Sequence, residues 1–230
     1  MGTDGETSAS TPAFKDVVID ATDGQRMADF WAAAIGLEAR PNGTGGDAAL
    51  NGSRPVHTVW VNQVPEPRTV KQRVHLDLLT SDIEELIKLG ASVSTRYERW
   101  TVMLDPEGGE FCAFAREPAR LPDYRMYELV VDSADPESIC RWWGERFDLE
   151  PRHDADDPWW WLEGGSLPWP WVFNPVPEPK TVKNRLHWDV WGRTEDYLAA
   201  GAALLRGRDD EISWDVLSDP EGNEFCVFAR

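Results

Sequence analysis

The feature that most constrains the fold of this chain is an internal duplication. VPEPRTVK (64–71) recurs as VPEPKTVK (176–183), with seven of eight residues identical and an offset of 112 residues. DPEGGEFCAFAR (105–116) recurs as DPEGNEFCVFAR (219–230), with ten of twelve identical and an offset of 114. Repeats at a nearly fixed period indicate successive copies of one structural unit. The 230-residue sequence therefore predicts a flexible N-terminal tail (1–12), a first domain (13–116), a linker (117–126) and a second domain (127–230).

Each domain has the sequence pattern of two smaller modules. FKDVVIDA (14–21) is rich in the β-branched residues of a strand. DGQRMADFWAAAIG (23–36) has apolar residues at helical spacing and ends at Gly36, a predicted C-cap. Three short strands follow, and the same order begins again at RVHLDLLT (73–80). In the last module, EDYLAAGAALLRG (195–207) is predicted to be one helix. The chain should therefore contain four βαβββ modules.

The formal net charge of −18 limits the partners that the chain can bind. It argues against nucleic acid and against anionic membrane surfaces, because their phosphates would repel the protein. No apolar run is long enough to span a bilayer, and the first residues lack the pattern of a secretion signal. The three cysteines form no CxxC pair, so we expect reduced thiols in a cytoplasmic protein. A small-molecule partner is expected, and both a monomer and a homodimer are compatible with the sequence.

The modules resemble those of a known superfamily. An Asp-capped helix that carries Phe-Trp or Trp-Trp, a following G-L-E and a closing DPEGNEF are similar to vicinal oxygen chelate proteins. More narrowly, VPEPKTVKNRLHWD together with DPEGNEFCVF resembles glyoxalase-like domains. The resemblance implies an α+β fold of tandem glyoxalase-like domains, each made of two modules that form a half-open barrel. The superfamily includes isomerases, lyases, dioxygenases and metal-free drug-binding proteins of the bleomycin resistance type, so the fold does not fix the reaction.

The resemblance also implies a divalent metal held by four side chains, two from each module. Carried over residue by residue, the implied ligands are Asp16, Asn62, His75 and Cys112 in the first domain and Glu128, Asn174, His187 and Cys226 in the second, with Gln63 as an alternative to Asn62. The cysteines stand where the family has glutamate. Zinc is the metal most compatible with a set that contains Cys and His. The alternative is that no metal binds and that the two thiols are small buried apolar groups.

The stretches VKQRVHLDL (70–78) and VKNRLHWDV (182–190) each set an Arg, a His and an Asp at alternate positions. Because strand side chains alternate between faces, these three residues share one face, which we expect to be the concave one. The residues are Arg73, His75 and Asp77 in the first copy and Arg185, His187 and Asp189 in the second. Arg–Asp pairing would offset part of the cost of burying them. Three roles stay open: a structural ion-pair network, contact with a ligand, or acid–base catalysis by His75 and His187.

Tryptophan is the other unusual feature, with 13 residues in the chain. Trp159, Trp161 and Trp171 lie in two adjacent strands of the second domain, where they predict an aromatic ligand cavity or core packing. Three functions follow as hypotheses. The first is a protein of resistance or sequestration type that binds a small organic molecule, aromatic or not, in a Trp-lined cavity. The second is a divalent-metal-dependent lyase, isomerase or dioxygenase that uses His187 or His75. The third is a structural or interaction module without a ligand.

Overall fold

The computed structural model describes residues 12–230, so the predicted tail lies outside the described residues except for its last position. The first half of the chain forms two modules. The first module consists of β1 (Ala13–Ala21), α1 (Gly24–Ile35), β2 (Glu38–Pro41), β3 (Ala48–Asn51) and β4 (Val59–Gln63). The second consists of β5 (Val74–Thr80), α2 (Ile83–Lys88), β6 (Ser92–Arg96), β7 (Thr101–Leu104) and β8 (Glu110–Ala115).

The second half repeats this order with one strand fewer. Its third module consists of β9 (Met126–Ser133), α3 (Pro136–Phe147), β10 (Trp160–Leu162) and β11 (Trp171–Pro175). The fourth consists of β12 (Leu186–Trp191), α4 (Thr194–Ala199), β13 (Ala203–Arg206), β14 (Asp215–Ser218) and β15 (Glu224–Phe228). At the place equivalent to β2, the third module has only an isolated bridge between Arg152 and Trp161.

The helix boundaries agree with the sequence in the first module and differ from it in the last. Asp23 caps α1, accepting a hydrogen bond from the Arg26 amide at 3.1 Å, and Gly36 ends the helix in the left-handed conformation, at φ 83°. The single helix predicted over 195–207 is wrong. Gly201, at φ 100°, ends the helical path because only glycine adopts this conformation without strain, and the chain then continues as β13, paired with β14.

The four modules assemble into two open sheets. The eight-stranded sheet has the order β13-β14-β15-β12-β1-β4-β3-β2, and the seven-stranded sheet has the order β10-β11-β9-β5-β8-β7-β6. The predicted fold class, α+β with four glyoxalase-like modules in unclosed sheets, is confirmed. The partners of the modules differ from the expectation, however. β1 pairs antiparallel with β12, and β5 with β9, so each sheet combines one module from each half of the chain.

Two crossover segments, residues 64–73 and 176–185, carry the chain between the sheets. The end of each segment is hydrogen-bonded to the first strand of the opposite half of the chain. The Asp20 amide donates to the Arg185 carbonyl at 2.8 Å, and the Asp132 amide donates to the Arg73 carbonyl at 2.7 Å. Because sequence-adjacent modules lie in different sheets, the two halves are interlocked and do not form separate barrels.

A single hydrophobic core lies where the helices contact both sheets. Trp31 of α1 packs on Phe111 of the seven-stranded sheet, with ring centres 5.3 Å apart. Trp143 of α3 packs on Trp171 at 5.0 Å and on Trp188, in the eight-stranded sheet, at 5.5 Å. All five rings are fully buried. The core faces of the sheets are thereby fixed, and the opposite faces are left for the polar residues of the alternating strands.

Candidate functional site

The first site is the group His75, Asp77, Cys112 and Glu128, on the face of the seven-stranded sheet opposite the core. Alternation along β5 puts its apolar side chains into the core, and His75 and Asp77 on the other face. Asp77 is paired in register with Cys112 on one side and with Glu128 on the other. One potential ligand atom from each of His75, Asp77 and Cys112 lies within 4.8 Å of the other two.

The second site is its counterpart on the eight-stranded sheet and consists of His187, Asp189, Cys226 and Asp16. Asp189 is paired in register with Asp16 on β1 and with Cys226 on β15. Ligand atoms of the His, Asp and Cys again lie within 4.8 Å of one another, and all three residues are buried. The duplication therefore yields two groups of the same composition, apart from an Asp in place of the Glu.

The metal-ligand sets implied by the resemblance are regrouped by this architecture. The resemblance groups Asp16 with His75 and Cys112, but Asp16 lies on the other sheet, beside Asp189. It groups Glu128 with His187 and Cys226, but Glu128 lies beside Asp77. This grouping is wrong because modules adjacent in sequence lie in different sheets. Each carboxylate joins the His and Cys of the opposite half.

The predicted amide ligands lie further along their strands. Asn62 is paired in register with Asp20, and Asn174 with Asp132. His187 is paired in register with Val18, two residues before Asp20. His75 is paired in register with Val130, two residues before Asp132. Asn62 and Asn174 are therefore displaced from the carboxylates Asp16 and Glu128 and lie near the ends of β4 and β11.

The predicted Arg–Asp pairing within each strand does not form. Arg73 instead donates to the Glu178 carbonyl and, at 3.0 Å, to the Asp132 carbonyl. Arg185 donates to the Glu66 carbonyl at 2.6 Å. Both arginines precede their strands and extend along the crossover segments, so their role is to hold these segments together. They lie apart from Asp77 and Asp189.

The three tryptophans predicted to contact a ligand lie in different environments. Trp171 is fully buried and packs in the core, so its prediction as a cavity residue is wrong. The next residue on its strand, Val172, lies on the opposite face, and Trp161 is paired in register with it. Trp161 therefore shares the face of the first site and is half-buried, as is Trp159 just before the strand.

Burial dominates the electrostatics of the first site. It lowers the pKa of His75 to about 4 and raises that of Asp77 well above its usual range, with repulsion from Glu128 adding to the effect. His75 Nε2 lies 3.5 Å from Asp77 Oδ1, a distance typical of an ion pair. The lowered pKa of His75 leaves its imidazole neutral at physiological pH, and the raised pKa of Asp77 disfavours its charged form. Burial also raises the pKa of the Cys112 thiol, and repulsion from Asp77 adds to this effect.

The second site contains a cation of its own. Lys15 Nζ lies 2.6 Å from Asp16 Oδ2 and 3.4 Å from Asp189 Oδ2, and the Trp60 indole donates to Asp16 Oδ2 at 3.0 Å. Burial and the nearby Asp16 raise the pKa of Asp189, while Lys15 opposes that shift. The pKa of His187 is lowered, chiefly by burial. Neither Lys15 nor Trp60 was among the predicted site residues.

A cavity of about 910 Å³ lies between the two crossover segments. Its apolar wall includes Val64, Val70, Val176 and Val182. Lys71 and Lys183 line it as well; Lys71 pairs with Asp132 at 2.7 Å and Lys183 with Asp20. None of the described residues that line this cavity is a tryptophan, so it is not the Trp-lined cavity predicted from the sequence.

The signal for Lys15 was present in the duplication itself. The 112-residue offset that aligns Asp16 with Glu128 also aligns Lys15 with Tyr127. A position beside a predicted metal ligand thus differs in charge between the copies. Comparing the copies position by position finds such differences, whereas a search for shared motifs does not.

No helix in residues 12–230 has the length and apolar character needed to cross a membrane. This agrees with the absence of a long apolar run in the sequence.

Comparison with known proteins gives a consistent picture of the fold. The family model described as Glyoxalase-like domain matches residues 16–114 and again residues 128–228. Glyoxalase I from Zea mays has a similar structure, with a TM-score of 0.63 and 12% identity over 94% of this chain and 92% of that chain. A protein from Bacillus subtilis subsp. subtilis str. 168 with a provisional dioxygenase assignment has a TM-score of 0.59 and 14% identity over 96% and 86%. At these identities the similarity concerns the fold alone, and no curated protein matches the sequence.

Proposed function

The chain belongs to the glyoxalase-like domain family of the vicinal oxygen chelate superfamily, and from this premise we propose that it binds a small organic molecule beside a divalent cation held in the first site. The observation that carries the proposal is a group of three donor side chains, from two neighbouring strands, whose ligand atoms lie within 4.8 Å of one another on one face of the seven-stranded sheet. These donors are His75, Asp77 and Cys112, and Glu128 is paired in register with Asp77 on a third strand.

The donor set fits a metal ion chemically. Asp77 Oδ1 is buried and has no hydrogen-bond partner among the described residues, although a buried polar atom normally has one. An imidazole nitrogen, a thiol sulfur and carboxylate oxygens together favour Zn²⁺ over Mg²⁺ or Ca²⁺, which prefer oxygen ligands alone. We therefore assign zinc as the expected ion.

The role of His75 follows from its environment. A pKa of about 4 leaves its imidazole neutral at physiological pH, which suits a metal ligand and does not suit a proton donor. Burial raises the pKa of both Asp77 and Cys112, so it opposes the charged form of each group in the absence of a cation. A bound divalent cation would act as a Lewis acid on an oxygen-bearing ligand. The chain's own contribution is to hold the three donors together on one face of the sheet.

The cavity between the crossover segments supports a small organic ligand. Its volume of about 910 Å³ lies within the range of sites for drug-sized molecules, roughly 300–1,000 Å³. Asp132 belongs to its wall and acts on His75 electrostatically. Asp20, also in the wall, acts on His187 in the same way, so this link holds for both sites. Tryptophan fluorescence with a panel of oxygen-bearing aromatic metabolites and antibiotics, with and without zinc, tests the proposal. Zinc-dependent quenching supports it, whereas no change with any compound favours a module without a ligand.

The fate of a bound compound separates the two remaining hypotheses. If the zinc-loaded protein converts the compound, the protein is an enzyme of the lyase, isomerase or dioxygenase type. If the compound is recovered unchanged, sequestration is the function. Chromatography of the compound after incubation with protein at a stoichiometric ratio gives this result directly.

Zinc binding is expected to release protons. The Cys112 thiol must lose its proton to act as a ligand, so we expect at least about one proton released per zinc ion near neutral pH and an affinity that falls as the pH is lowered. Neutral His75 contributes none. Calorimetric titrations in buffers of different ionisation enthalpy measure this number. Release of no protons would exclude the Cys112 thiolate as a ligand.

A further inference from the structure

We propose that the ammonium group of Lys15 takes the place of the metal ion in the second site, so that the chain binds one divalent cation, in the first site alone. The inference rests on the proposed function, since it assumes that the first site binds such a cation. The duplication made Lys15 and Tyr127 equivalent positions, and the two side chains differ in charge. This difference lies directly beside the carboxylates Asp16 and Glu128.

Lys15 is seated between the two carboxylates of the second site. Its Nζ contacts Asp16 at 2.6 Å and Asp189 at 3.4 Å, and its side chain is only 14% exposed. A cation that pairs with two buried carboxylates compensates the negative charge that a metal ion would otherwise meet. The second site therefore has its counter-ion built into the chain.

Aromatic rings hold the ammonium in this position. Lys15 Nζ lies 4.2 Å from the centre of the Phe228 ring and 5.6 Å from that of Trp191. The ring faces attract a cation, and more strongly where water is excluded. Moving Lys15 away would lose both these contacts and the ion pairs, so the cation is a fixed part of the site.

Among residues 12–230, the first site has no buried cation of this kind. Burial raises the pKa of Glu128, and Arg116 opposes this shift from an exposed position. Tyr127 lies against Phe114, the counterpart of Phe228, with ring centres 5.2 Å apart. Burial raises the pKa of Tyr127, so its phenol is neutral at physiological pH. Arg116 lies over the Phe114 ring, but it is exposed. Within residues 12–230, neither Asp77 nor Glu128 forms an ion pair with a lysine or an arginine.

A divalent cation therefore meets opposite conditions in the two sites. In the first site it enters a group of donors that forms no ion pair with a lysine or an arginine in the described part of the chain. In the second site it must displace Lys15 or lie beside a positive charge within a few ångströms. Like charges at that separation repel strongly in a buried environment. Sites of almost identical composition thus differ in their metal occupancy.

Exchanging the two side chains tests the inference. The full chain is freed of metal with a chelator, titrated with zinc by calorimetry, and its zinc content is measured after gel filtration. We expect one zinc ion per chain in the wild type, two in Lys15→Tyr and none in Tyr127→Lys. Lys15→Arg and Tyr127→Phe are the matched controls, because they keep the charge at each position, and both should bind one.

The outcomes separate the inference from the proposed function. Two zinc ions in the wild type would overturn the inference and leave the proposed function standing. A folded Lys15→Tyr protein that still binds one zinc ion would have the same consequence. Lys15→Met removes the same charge and serves if Lys15→Tyr does not fold, which thermal unfolding shows. No zinc in either the wild type or the folded Lys15 variants would contradict the proposed function itself, and the inference with it.

Discussion

Replacing His75 by alanine is expected to lower the affinity of the protein for zinc by more than about 100-fold. Removing a residue that merely supports a metal ligand costs about 10- to 100-fold in affinity, and His75 is proposed as a ligand itself. Its imidazole is already neutral, because burial lowers its pKa to about 4, so it binds without having to lose a proton. Competition against a chromogenic zinc chelator measures the affinity of both proteins.

His187→Ala is the matched control for this prediction. His187 occupies the equivalent position on the other sheet and is buried, whereas His75 is half-buried, so His187→Ala should disturb the fold at least as much as His75→Ala. The account expects His187→Ala to leave zinc affinity within about 3-fold of the wild type, well below the cost of losing a ligand. Equal losses in the two variants would show that the effect is structural, and a loss in His187→Ala alone would place the metal in the second site.

The isolated N-terminal half, residues 12–116, is expected not to fold as a stable monomer. Without the second half, β1 loses β12 and β5 loses β9, so both sheets end in an unpaired central strand. Unpaired edges of this kind favour association with another chain. The half also loses the core residues of α3 and Trp188. Because the free energy of unfolding of a folded domain is only about 5–15 kcal/mol, the loss of this part of the core should be enough to unfold it. Circular dichroism, thermal unfolding and sedimentation show whether it is unfolded or dimeric.

A protease site placed in the linker provides the control. The exposed linker segment 117–123 joins the halves, whereas the sheets hold them together. Cleavage there should leave a protein that elutes as the intact chain and unfolds in one transition. A half that folds as a cooperative monomer, with modules one and two sharing a sheet, would contradict the interlocked arrangement.

The elements of the fold could be predicted from the sequence, but their partners could not. Alternation along β5 correctly separates Val74, Leu76 and Leu78, which lie in the core, from His75 and Asp77. Duplication, however, makes β5 and β12 nearly the same strand, and β1 and β9 likewise. β1 could therefore pair with β5 or with β12 and present the same alternation of apolar side chains in both cases, and the same holds for β9. The choice depends on the path of the crossover segments, which local sequence does not determine.

The error at Trp171 has a different cause. β11 begins Trp-Val-Phe, so both of its faces carry apolar side chains and alternation does not show which face enters the core. Trp143 of α3 decides this through its packing on Trp171, a contact between residues 28 positions apart. Lys15 was missed because it belongs to no motif that the two copies share. Only comparison with Tyr127, 112 residues later, marks the position as unusual.

The central claim is that the first site is a divalent metal centre with the Cys112 thiolate among its ligands. The absorption spectrum of the cobalt-substituted protein tests it most directly, because a thiolate bound to Co²⁺ gives an intense charge-transfer band that nitrogen and oxygen ligands do not give. A metal deprotonates a coordinating thiol, so the raised pKa of Cys112 does not prevent this. The account predicts the band in the wild type and in Cys226→Ser, and its loss in Cys112→Ser. Absence of the band in the wild type, or its loss in Cys226→Ser with retention in Cys112→Ser, would contradict the claim.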